Sequence, residues 1–192
     1  MSKPYVWIVL SVLLAGLPAA GTAITLNLLP SAATVTAGDM IDVDVLVSGL
    51  GAGAPPSVGA FDLDVAFDPV IFTPVDVVFG PFLGDPLLLE ALTDFSFAVA
   101  GIVDFAEVSL LSAAALDALQ PASFVLATLS FAAQADGSGA FRLVGDRRVD
   151  DPFGNKLAVP VPVAAALLGA GLLALAGVRR RAGGTGPGKA PG

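Results

Sequence analysis

Gly59-Ala60-Phe61-Asp62-Leu63-Asp64-Val65-Ala66-Phe67-Asp68-Pro69 is the stretch that decides the fold. Phe61, Leu63, Val65 and Phe67 alternate with Ala60, Asp62, Asp64 and Ala66. Successive side chains of a strand point to opposite faces, so this period of two predicts a strand with one buried and one wet face. Asp68-Pro69 ends it, because Asp bonds its own downstream backbone and Pro fixes φ while removing a ladder donor. Upstream, Ile41, Val43, Val45 and Val47 repeat the pattern against Asp42, Asp44 and Leu46. Further strands are expected at 24–29, 75–79, 95–99, 102–109, 124–133 and 140–144. Turn signals fall between them at 37–39, 51–56, 84–86 and 136–139. Only 111–119, rich in Ala and Leu, reads as a helix. Many short strands with Gly and Pro punctuation predict an all-β, two-sheet antiparallel sandwich.

The chain of 192 residues is 55% hydrophobic with mean hydropathy +0.85, a formal charge of −8, and neither His nor Cys. Those two absences remove Ser-His-Asp and Cys-His nucleophiles, zinc and haem sites with His or Cys ligands, and any disulfide framework. The apolar excess sits largely at the two ends. All 17 acidic residues lie between Asp39 and Asp151, with four basic ones (Arg142, Arg147, Arg148 and Lys156) in the same central part. Its net charge near −13 argues against nucleic acid and against anionic membrane surfaces. No Gly-rich phosphate loop follows a strand, and no fixed-period repeat is present.

Residues 1–23 combine Lys3, an apolar run from Val6 to Leu17 and the small residues Gly21 and Ala23. These are the three parts of a secretory signal, with cleavage expected at Ala23 and Ala20 as the other position. The run is too short to cross a hydrocarbon core of about 30 Å. At the other end, residues 163–178 form an apolar stretch without a polar face, followed by Arg179, Arg180 and Arg181. As a helix it would cover about 24 Å, a short transmembrane span, and the arginines place its far end on the cytoplasmic side. Residues 182–192 read as a disordered Gly/Pro tail.

Residues 159–181 resemble the PEP-CTERM sorting tail: Pro160-Val161-Pro162, an apolar helix, then the arginine cluster. Val161 stands where that family has Glu, and residues 182–192 run past the usual stop. The resemblance implies an exosortase-type processing enzyme as partner, transient inner-membrane anchoring through the C-terminal helix, and a final place in the envelope or outside the cell. The middle, 24–158, is similar to the cohesin-like jelly-roll sandwich, which is related to carbohydrate-binding modules. The similarity is carried by 35–43 (VTAGDMIDV), 58–69 (VGAFDLDVAFDP), 126–131 (LATLSF) and the closing 149–158. It implies a non-enzymatic binding module for a dockerin-type protein or a matrix polysaccharide, acting through a sheet face or end loops. A structural matrix or biofilm component without a defined ligand is the alternative.

Asp42/Asp44 and Asp62/Asp64 each share a strand face. As sites they would be a calcium position or a general acid–base pair; as structure they are the wet face of an apolar sandwich, which is the simpler reading. Asp146, Asp150, Asp151 and Asn155 gather oxygen ligands in one closing loop and are the calcium candidates, against pairing of Arg147 and Arg148 with the same aspartates. No other cofactor is expected. Tyr5 and Trp7, the only Tyr and Trp, lie in the signal segment, whereas all 12 phenylalanines lie in the domain. Phe61, Phe67, Phe95, Phe97, Phe105 and Phe131 are expected in the core. Leu87-Leu88-Leu89 and 79–83 are read as loop material packed over one end of the sandwich, with an exposed contact patch as the other reading.

Overall fold

The computed structural model describes residues 23–159. Ten strands, one short α-helix and one 3-10 turn follow in order: β1 (Thr25–Pro30), β2 (Thr34–Val35), β3 (Met40–Ser48), β4 (Ala60–Ala66), β5 (Phe72–Phe79), the 3-10 turn Pro86–Leu88, β6 (Ala91–Ser96), β7 (Ile102–Ser109), α1 (Ala113–Leu119), β8 (Ser123–Ala133), β9 (Gly137–Ser138) and β10 (Arg142–Asp150). Two four-stranded antiparallel sheets run in the orders β1-β3-β8-β5 and β10-β4-β7-β6, here sheet I and sheet II. A two-stranded pair, β2-β9, completes the set.

Alternation does the layering. Ile41, Val43, Val45 and Val47 of β3 and Leu126, Leu129 and Phe131 of β8 meet Phe61, Leu63 and Val65 of β4 and Val103 and Phe105 of β7, all buried. Phenylalanines fill the space between the sheets. Phe131 touches Phe67, Phe72 and Phe141 at centroid distances of 5.1, 6.1 and 4.9 Å, and Phe61 meets Phe105 at 5.9 Å. These separations lie in the favoured range for tilted and edge-on rings.

One end of the sandwich, the near end, carries both boundaries of the domain. Ile24 N donates to Ala158 O at 3.1 Å, and β1 starts opposite the last residue of β3. The connections 49–59, 80–90, 110–122 and 151–157 close the same end. Gln120 ties them together: its amide donates to Val58 O at 2.8 Å and Phe82 O at 3.1 Å, and accepts from Val58 N at 2.7 Å. The far end holds the connections 31–39, 67–71, 97–101 and 134–141.

Several boundaries differ from the sequence reading. The strand expected at 95–99 is β6, four residues earlier, and the one at 140–144 is β10, which starts at Arg142 and runs on to Asp150. Residues 136–139 are no simple hairpin turn, because Gly137-Ser138 pairs with Thr34-Val35 and Asp136 Oδ1 accepts from Ala37 N at 2.9 Å. The helix starts at Ala113 because the Ser112 side chain accepts from Ala115 N and caps it. Residues 1–22 of the 1–23 secretion segment, the sorting residues Pro160, Pro162, Arg179, Arg180 and Arg181, the apolar stretch 163–178 and the tail 182–192 lie outside the described residues. Among the described residues no helix is long and apolar enough to cross a membrane.

Candidate binding face

The two outer sheet faces are built differently. On sheet I the expected carboxylate pair on β3 is occupied: Ser130 Oγ donates to Asp42 Oδ1 and Thr128 Oγ1 to Asp44 Oδ1, each at 2.7 Å. Both donors come from β8, in register with β3, so these are cross-strand ties.

Sheet II presents another surface. Asp62 and Asp64 of β4, Asp104 of β7 and Asp94 of β6 share its outer face, with Asp64 directly opposite Asp104. Burial, together with the neighbouring charges of Asp64, Asp62 and Asp94, raises the Asp104 carboxyl above its ordinary value. Towards the near end of the same face, Leu92 pairs with Val108 across β6 and β7, and both are exposed beside half-buried Ala106. The result is a small apolar strip bordered by four carboxylates. On the far edge β10 carries Arg142 and Arg148, and Arg148 Nε donates to the buried Asp150 Oδ2 at 2.7 Å.

A bulge in β10 between Val144 and Arg148 shapes that edge. Gly145 sits in it at φ +66, and a Cβ there would stand 2.6 Å from Asp64 Oδ2. The left-handed backbone is what calls for glycine, and a larger residue would also push the Asp64 carboxylate aside.

The calcium candidates do not share one loop. Asp146 and Asp150 are on β10, and only 151–154 form a turn. Asp146 Oδ1 accepts from Lys156 Nζ at 2.6 Å, which holds its carboxyl below the usual value. Asp151 organises the turn: its oxygens accept from Phe153 N at 2.8 Å and from Asn155 N and Nδ2 at 2.9 Å. Among the described residues no three acidic side chains are placed to share a metal ion. The expected pairing of arginines holds for Arg148 alone. Arg147 instead donates to Leu143 O at 2.9 Å, spanning the bulge.

Phe95 departs from the core expectation: it faces inward on edge strand β6, yet is 45% exposed and packs at a tilt against half-buried Phe97, 5.4 Å between ring centroids. Leu87, Leu88 and Leu89 depart further, standing in solvent while Leu83 and Phe82 pack inward, the latter on Phe124 at 4.8 Å. A groove of about 440 Å³ runs at the near end between Pro55, Pro56, Pro152 and Phe153, beside Leu157 and Ala158. Ala23, the expected cleavage position, is exposed just before the buried Ile24. Gln120 carried no signal in the sequence, since a lone amide between a helix end and Pro121 has no periodicity to betray it.

Solved structures share this arrangement of strands. A type II cohesin domain from the cellulosome of Acetivibrio cellulolyticus superposes with a TM-score of 0.60 at 12% identity, covering 72% of this chain and 91% of that one. The fold is a cohesin fold. Two further cohesins are similar, both seen in complexes: the sixth cohesin of scaffoldin B from Acetivibrio cellulolyticus with a Cel5 dockerin, and a type I cohesin–dockerin pair from Clostridium thermocellum. The first gives a TM-score of 0.56 at 14% identity, covering 71% of this chain and 94% of that one. The second gives 0.55 at 13%, covering 71% and 92%. No family model and no curated protein matches the chain. At such identities the shared property of this cohesin-like domain is the fold.

Proposed function

We propose that the protein is an exported, non-catalytic module that binds a protein partner of the dockerin type through the outer face of sheet II. The observation that carries this reading is the exposed Leu92–Val108 strip, flanked on its far-end side by Asp62 and Asp94 and then by Asp64 and Asp104, on a fold whose solved relatives are found bound to dockerins. An exposed apolar patch with a polar margin is the usual build of a protein-binding surface. The carboxylates would select a partner with basic residues around an apolar knob. A polysaccharide ligand is disfavoured because residues 24–158 contain no Tyr or Trp to stack on sugar rings. The N-terminal segment would deliver the chain across the membrane. The apolar stretch 163–178 with Arg179–Arg181 would hold it there as the substrate of an exosortase-type enzyme, before release into the envelope or outside the cell.

The test is affinity capture from the medium and envelope of the producing cells, with the wild-type protein and a Leu92→Arg/Val108→Arg variant as baits. A dockerin-bearing protein retained by the first and lost by the second is the expected result. Equal retention by both would move the site elsewhere, and saturable binding on a glycan array would replace the protein ligand by a sugar.

A further inference from the structure

Leu87, Leu88 and Leu89 are 92%, 68% and 76% exposed, three consecutive leucines held out in water. Their backbone is not loose. Asp85 Oδ1 accepts from Leu87 N at 2.8 Å, Asp85 O from Leu88 N at 3.0 Å and Glu90 N at 3.1 Å, and Glu90 Oε2 from Asp85 N at 3.1 Å. A tight, self-satisfied turn thus presents apolar side chains outward. They are not alone at the near end: Leu110, Leu119 and Phe153 are exposed there as well, Phe153 by 79%. Among the described residues the far end shows Met40, Val70 and Val99, with Leu29 and Phe95 near the strand ends there, but no run of consecutive exposed apolar side chains.

The near end is also where the chain leaves the domain. Ala158 is fixed against Ile24, and four residues, 159–162, separate it from the apolar stretch 163–178. Four residues span at most about 14 Å. A sheet of four strands is about 15 Å across. Once the tail is in a membrane, the corner at Ala158 is held within about 14 Å of that membrane's surface. The leucine turn, between β5 and β6 at the opposite edge of both sheets, stands about one sheet width away on the same end of the domain. The turn is flanked by Asp85 and Glu90 and has no basic residue, so its chemistry suits a zwitterionic surface and opposes an anionic one.

We propose that the Leu87-Leu88-Leu89 turn is a second, monotopic membrane contact, which dips into the bilayer that holds the tail and stands the sandwich upright on it. This rests on the reading of residues 163–178 as a membrane anchor. Upright, with strands along the membrane normal, the domain keeps the outer face of sheet II open sideways to a partner.

The experiment uses the full chain with Trp7→Phe and one tryptophan introduced as Leu88→Trp, Val70→Trp or Leu172→Trp. Each protein is reconstituted into two sets of phosphatidylcholine vesicles, one with bromine on the acyl chains near the glycerol, which reads positions 88 and 70, and one with bromine near the methyl end, which reads position 172 at mid-span. Leu172→Trp reads the anchor, and the other two read the two ends of the domain. The expected result is that Leu88→Trp and Leu172→Trp lose most of their emission and Val70→Trp loses none. Quenching at 172 without quenching at 88 overturns the proposal and leaves the anchor standing. No quenching at 172 removes the anchor and the proposal with it. Equal quenching at 88 and 70 means adsorption without orientation and also overturns it. A blue shift at 88 without bromine quenching means that a second copy covers the leucines, and the bilayer assignment falls.

Discussion

Glu107 lies on the inner side of β7 between Phe61 and Thr93 of the flanking strands, 1% exposed, and neither carboxyl oxygen has a hydrogen-bond partner. Burial pushes its pKa from an ordinary 4.5 to about 8. The fold therefore favours the protonated acid. The stability this contributes is complete below about pH 4.5 and is lost as pH rises through about 8. Melting temperature should fall across that window in the wild type, and Glu107→Met should flatten the fall and gain about 1–3 kcal/mol at alkaline pH, measured by denaturation at several pH values. Asp39, Asp146 and Asp151 act oppositely, since hydrogen bonds from Thr36, Lys156 and Asn155 lower their pKa values and favour the fold until they are protonated. Gln120 is the second decisive residue. Gln120→Ala strands the buried Val58 N–H and C=O and should cost about 3 kcal/mol in urea unfolding. At Gly145, an alanine would meet both a left-handed φ and the Asp64 carboxylate. Gly145→Ala should destabilise by about 1–2 kcal/mol in the same measurement.

Among the elements, β3, β4 and β7 were readable to within a residue because each sets one wholly buried face against one wet one. Period two is the direct image of that geometry. β5 is harder: Val75 and Val78 are exposed, and the register slips between Pro74 and Asp76, so only its second half looked like a strand. β10 is polar along most of its length and bulged at Gly145, which disguises strand as loop and made Asp146, Asp150 and Asp151 look like neighbours in one turn. β6 shows one buried residue in six, as an edge strand can, and its signal drifted to Phe95 at its end and Phe97 just beyond it. Of the binding face, the Asp62/Asp64 pair was visible. Its partners Asp94, Asp104, Leu92 and Val108 come from other strands and are joined only by register. The thin packing of β6 predicts that its amides exchange with solvent faster than those of β4 and β8, which hydrogen–deuterium exchange will resolve.

For the molecule as a whole, a net charge near −13 over the central domain, with four carboxylates gathered on one face, favours steered association with a basic partner. Association should slow with added salt. Asp62→Asn combined with Asp104→Asn should lower the on-rate several-fold with a smaller effect on the off-rate, as read by surface plasmon resonance against the captured partner. The closing segment has a mechanical meaning as well. The last backbone ties before the tail are Ile24 N to Ala158 O, Leu157 N to Val149 O and Asp151 N to Asn155 O, one after another along the chain. A tug through residue 159 reaches these ties first, and two of them pass the load straight to the sandwich, through Ile24 at the start of β1 in sheet I and through Val149 of β10 in sheet II. A cell surface that is stirred or stretched would thus divide each jolt between the two sheets, at the edges β1 and β10, with Leu92 on β6 at the opposite edge of sheet II.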